Sequence, residues 1–148
     1  MLDFFQSFCK AIGDNACYFL DLIHIAEVYT GHSYDPFTCT VIASAHNSTF
    51  DTSVKCIDFN WNNLKDTNNF FCEDPDEILY LLTGKQWTHT RIDSSTYKAK
   101  KGDYIIRLWA KGSNKTGHFN CEDYDSYQDS DNVKNGKIIG YRVFRVKE

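Results

Sequence analysis

The chain has 148 residues, of which 42% are hydrophobic, 16% aromatic and 24% charged, with a formal net charge of −4. That is one domain's worth of sequence with enough apolar mass for a core, so a disordered chain is excluded. The acidic balance argues against a general nucleic-acid binder, which needs a basic face, and no apolar run approaches the ~20 residues that span a bilayer.

The opening segment "MLDFFQSFCKAIGD" lacks a basic start and carries Asp3, so it does not read as a secretory signal. A cytoplasmic protein is expected, its six cysteines held as free thiols. Residues 2–12 place Leu2, Phe4, Phe5, Phe8, Cys9 and Ile12 at helical spacing and stop at Gly13. Residues 17–30 are apolar on most sides, which predicts a largely buried helix, capped by Asp14 or Asn15 and ended by Gly31. His24, inside that run, is expected to be a hydrogen-bonded core residue.

An Asp-Pro pair at Asp35 and Pro36 starts a third helix ending near Asn47. Residues 51–73 alternate weakly and read as a short strand or an irregular loop. "EDPDEILYLLTG" is a fourth helix with an acidic first turn and a glycine stop. The period then changes. Residues 85–93, 103–111, 117–124 and 137–147 are rich in β-branched and aromatic side chains and predict strands. The basic cluster "YKAKKGDY" reads as a solvated loop before a strand. In "SDNVKNGK", Asn135-Gly136 signals a hairpin turn. Helices first and strands after predict an α+β domain, its N-terminal helices packed on a C-terminal antiparallel sheet.

The sequence has no C-x-x-C, no H-E-x-x-H and no glycine-rich phosphate motif, so neither a metal site nor a cofactor is implied. Cys17, at the start of the buried helix, is the first chemical candidate. Helix starts carry positive potential and unpaired N–H groups, which favour a thiolate. The plainer reading is equally physical, because a free cysteine is often a small core residue. A base must come from elsewhere. His118 follows Gly117 at a predicted strand start, and Asp123 and Asp125 follow it, either able to orient an imidazole. His89, in "WTHT", is the alternate base. Cys121 lies near His118 but on a strand, without a helix start behind it.

A cysteine at the start of a long helix, followed by strands bearing "GHF" and an Asp-centred turn, resembles the papain-like cysteine peptidase superfamily. "HFNCEDYDSY" is similar to the His-Phe and following aspartate of the bacteriocin-leader peptidase-like proteins. "KKGDYIIRLWAKGSNKTGHF" is similar to the Gly-Asp strand start before the histidine strand of the NlpC and CHAP cell-wall hydrolases. The resemblance runs through most of the chain and implies a single papain-like domain over residues 1–148. It implies a peptidase or amidase acting on a peptide or peptidoglycan amide. Cys17 would be the nucleophile, His118 the general base and Asp125 the orienting acid, with Asp123 its rival. Ala16 stands where the family has glycine. Gln6 is the sole upstream glutamine, and Asn15 is a candidate substitute for the family's oxyanion donor. These departures imply a second expectation: a protein of phage or mobile-element origin whose cleft binds a host protein or a small ligand, for instance to block a bacterial defence system. Either way the partner is a peptide, protein or small ligand, and no nucleic acid or membrane is expected.

Overall fold

Residues 8, 16–51, 53–63, 70–110, 117–126 and 131–148 are described by the computed structural model. The predicted helix over 2–12 and the cap candidates Asp14 and Asn15 therefore lie outside the described residues, apart from Phe8.

Helix α1, Cys17–Thr30, buries Phe19, Leu20, Leu22, Ile23, Ile25 and Ala26, as its nearly continuous apolar sequence requires. Gly31 ends it at φ 76°, donating its N–H to Glu27 at 2.8 Å. That left-handed conformation is the one glycine adopts without steric cost. Helix α2, Pro36–Ala45, starts with the Asp35 carboxylate accepting from the Thr38 N–H. It stops two residues short of Asn47, which instead forms an isolated bridge with Lys55. Helix α3, Pro75–Thr83, repeats the device, with Asp74 accepting from the Glu77 N–H and Gly84 ending it at φ 72°.

The ambiguous stretch between α2 and α3 yields two three-residue strands. β1, Ile57–Phe59, pairs antiparallel with β2, Phe70–Cys72. Aromatic rings hold this end together. Phe8 stacks on Trp61 at 5.5 Å and meets the edge of Phe37 at 4.9 Å, while Phe59 lies 5.0 Å from Phe70.

The second half builds a four-stranded antiparallel sheet from β3 (Trp87–Ile92), β4 (Tyr104–Trp109), β5 (His118–Asn120) and β6 (Ile138–Val146), in the spatial order β3-β6-β4-β5. The expected hairpin turn at Asn135-Gly136 is not there. Residues Asp131–Asn135 form a short helix, α4, and Gly136 follows it. The reason is topological. β6 pairs with β3 and β4 rather than with β5, so the chain must cross past β4 before re-entering the sheet. A two-residue turn joins only adjacent strands. Gly136 is required for another reason: a Cβ there would overlap the backbone carbonyl of Asn132.

α1 packs across β5 and β4 and against α3, α3 packs on β3, and α2 on β1. Leu22, Leu79, Ile106 and Phe144 are fully buried between these layers. The chain is thus an α+β fold with helices laid on an antiparallel sheet. No described helix is long and apolar enough to cross a membrane. His24 departs from expectation. It is half-buried at the edge of α1, bonded to exposed Asp123 at 3.0 Å and stacked on Tyr124 at 4.8 Å, because the turn after β5 reaches back over the helix.

Candidate active site

The start of α1 and the strand β5 meet in one place. Ala16 occupies the N-cap position and supplies no side-chain cap. Cys17, the first helical residue, is half-buried and lies on the wall of a cleft of about 440 Å³. The thiol is faced by the backbone N–H of Phe119 from β5 and by that of Tyr18. The Phe119 N–H belongs to the peptide unit that joins it to His118. The base candidate is therefore covalently next to the amide on the thiol.

Burial pushes the Cys17 thiol up to about 11, against the two amides that favour the thiolate. The carboxyls of Asp21 and Asp125 press the same way. Desolvation thus outweighs the helix-start effect expected from the sequence. No hydrogen bond joins Cys17 to His118 among the described residues. All five described cysteines, Cys17, Cys39, Cys56, Cys72 and Cys121, are free thiols.

His118 is 6% exposed and directs Nε2 at Asp125 Oδ1, 2.7 Å away. Where Asp125 accepts as a carboxylate, Nε2 is the donor, and in the neutral imidazole Nδ1 then keeps the lone pair. The other oxygen of Asp125 accepts from Asn120 Nδ2 at 3.0 Å. Asn120 is fixed in turn, its Oδ1 accepting from Trp109 Nε1 at 2.9 Å and Arg107 Nε at 3.1 Å. Arg107 also reaches the Cys121 carbonyl at 3.2 Å. The imidazole is thus held by a carboxylate, which is held by an amide anchored to two cationic or aromatic N–H donors. Gly117 lets this strand run close to β4: a Cβ there would stand 3.3 Å from the Trp109 carbonyl and from Leu108.

The two aspartates that the sequence left as alternatives separate here. The Cys121–Tyr124 bridge closes a tight turn. Asp123, at its tip, points to His24, while Asp125, past the turn, comes back under His118. His89 is elsewhere, exposed on β3 and bonded through Nδ1 to Asp76 at 2.9 Å. Cys121 is buried, and burial raises its thiol far above the usual range. Gln6 and Asn15 lie outside the described residues.

Three residues of this region were missed from the sequence. Asn120 and Arg107 are ordinary strand residues by pattern. Asp21 left a usable signal, an acid set among Phe19, Leu20, Leu22 and Ile23. It sits one turn after Cys17, fully buried, with neither carboxyl oxygen hydrogen-bonded among the described residues. Burial first, then the charge of Asp125, pushes its carboxyl up to about 9, with Arg107 pulling the other way. Asp21 is therefore neutral at physiological pH. No group of three His, Cys, Asp or Glu among the described residues could hold a metal ion. No protein-family model matches the chain, and neither does any curated protein or solved structure.

Proposed function

We propose that the chain is a papain-like cysteine hydrolase that cleaves a peptide amide, with Cys17, His118 and Asp125 as its triad. The observation that carries this reading is the His118–Asp125 hydrogen bond of 2.7 Å beside a strand amide that faces the Cys17 thiol. A histidine whose Nε2 is committed to a carboxylate has its Nδ1 available as a base. In the reaction, Cys17 Sγ attacks the amide carbonyl as its proton passes to His118 Nδ1. The N–H groups of the first turn of α1 steady the oxyanion, since helix starts leave such donors unpaired. The imidazolium then protonates the leaving amine, giving a thioester. His118 next takes a proton from water, and the hydroxide so formed releases the acid and the thiol. Asn120 keeps Asp125 aligned throughout.

A thiol near 11 is ionised to only about one part in ten thousand at pH 7. Chemistry therefore depends on His118 taking the proton during attack. That same high value, with no hydrogen bond between Cys17 and His118, favours a second reading: a domain of this architecture that binds a partner in the cleft without turnover.

Alkylation separates the two. Native protein is treated with iodoacetamide from pH 5 to 10, and labelled cysteines are mapped by mass spectrometry. The hydrolase reading expects Cys17 to label at least tenfold faster than Cys39, Cys56 or Cys121 at neutral pH, because His118 takes the proton as the thiol attacks. It expects His118→Ala to remove that advantage. Labelling of Cys17 only after unfolding, or a profile unchanged by His118→Ala, overturns it and leaves the binding reading.

A further inference from the structure

One wall of the cleft carries a cation with no ion-pair partner among the described residues. Arg142, on β6, stands in the lining with Cys17, Tyr18, Phe71 and Phe119. Its guanidinium lies over the Phe119 ring, 5.5 Å from the centroid. Among the described residues its one hydrogen bond runs from Nη1 to the backbone carbonyl of Tyr141 at 3.2 Å. Among the described residues no carboxylate comes within ion-pair range of it. Its neighbour across the sheet, Arg91, has a partner in Asp93 at 2.8 Å. Asp93 thus pairs directly with Arg91 and acts on Arg142 only through its charge at longer range.

Phe119 ties this cation to the reactive centre. Its amide faces the Cys17 thiol and its ring carries the guanidinium. One residue thus contacts both the charge and the nucleophile. Tyr18 packs edge-on against the same ring at 4.7 Å, and Phe71 stands 56% exposed at the lip. A partly desolvated guanidinium on an aromatic wall pairs with carboxylates more strongly than one in open water.

We propose that Arg142 is a specificity-determining residue that reads an acidic side chain of a peptide beside an apolar or aromatic one. The occupant's being a peptide rests on the hydrolase reading; its negative charge does not. A chain-terminal carboxylate is the poorer match. Such ends are captured by clustered backbone N–H groups, and the amides of Tyr18 and Phe119 face the thiol instead. The unoccupied N–H donors of Arg142 form a fork suited to a single carboxylate.

The test is binding, so it does not need turnover. Cys17→Ala protein, ¹⁵N-labelled, is titrated with acetyl-Phe-Glu-amide, acetyl-Phe-Gln-amide and free-acid acetyl-Phe-Gly, with shifts followed by NMR. The glutamate peptide should bind about fivefold tighter than the glutamine peptide, with shifts at Arg142 and Phe119. Arg142→Gln should erase that preference, and Arg142→Lys should keep part of it, which separates lost charge from lost folding. Equal binding of the Glu and Gln peptides overturns the proposal. So does a preference that survives in Arg142→Gln, or tighter binding of the free-acid peptide. An acid preference in a protein whose Cys17 fails the labelling test would sink the hydrolase and leave this subsite standing.

Discussion

Replacing Asp21 by Asn should stabilise the protein, by an amount that depends on pH in a defined way. The carboxyl is fully buried without a hydrogen-bond partner among the described residues, and its environment raises it to about 9. In the unfolded chain it ionises near about 3.9. The folded state prefers the protonated form, so its contribution is intact below the unfolded value and is lost as pH rises toward 9. Each pH unit above the unfolded value costs about 1.4 kcal/mol, which makes about 4 kcal/mol at pH 7. Asparagine has nearly the same shape and nothing to ionise. Urea unfolding of both proteins between pH 4 and pH 8, with equal m-values, reads the difference directly. The two curves should nearly meet at pH 4 and diverge steadily above it. A gap that stays flat across this range would refute the reasoning, because a partnered or solvated Asp21 has no such slope. The size matters, since small domains hold only about 5–15 kcal/mol in total.

Two further substitutions probe the frame around the site. Glu77 is fully buried on α3, and its carboxylate takes His46 Nε2 at 3.2 Å and the Thr49 hydroxyl at 2.9 Å. Glu77→Ala should cost about 2–4 kcal/mol by leaving both donors facing a void, while Glu77→Gln should recover part of it in the same urea assay. Gly136→Ala should cost about 2 kcal/mol or more, because the new Cβ meets a backbone carbonyl that cannot swing aside. A thermal midpoint unchanged by Gly136→Ala would show that the turn after α4 adjusts freely.

What the sequence made legible was local punctuation. Asp35-Pro36, Asp74-Pro75, Gly31 and Gly84 each start or stop a helix by a mechanism confined to a few residues, and each lies where its chemistry predicts. The β1–β2 pair was not legible, because three residues are too few to reveal a period. Asn135-Gly136 misled because a turn signal says nothing about which strands are neighbours. At the site, His118 and Asp125 were readable as an imidazole and a nearby acid, and the tight Cys121–Tyr124 turn brings them to 2.7 Å. The state of Cys17 was not readable. Its position promised activation, but the thiol's value is set first by how deeply the fold buries it, which is a tertiary fact. Arg142 went unnoticed for the same reason, and Asp21 despite its place in an apolar run.

The strand order carries a consequence for how the molecule comes into being. β3 and β4 are held apart by β6, which pairs residue 87 with residue 146 and residue 104 with residue 144. During synthesis β3 and β4 emerge before β6, yet the ladder between them is supplied by that later segment. Until residues 138–146 leave the ribosome, both strands present unpaired edges and α1 has only part of the surface it is to cover. Such long-range closure slows folding and leaves time for wrong pairings. The histidine strand β5 hangs from β4 alone. The cleft beside Cys17 is therefore completed only when the final strand slides into the middle of the sheet and brings Arg142 with it.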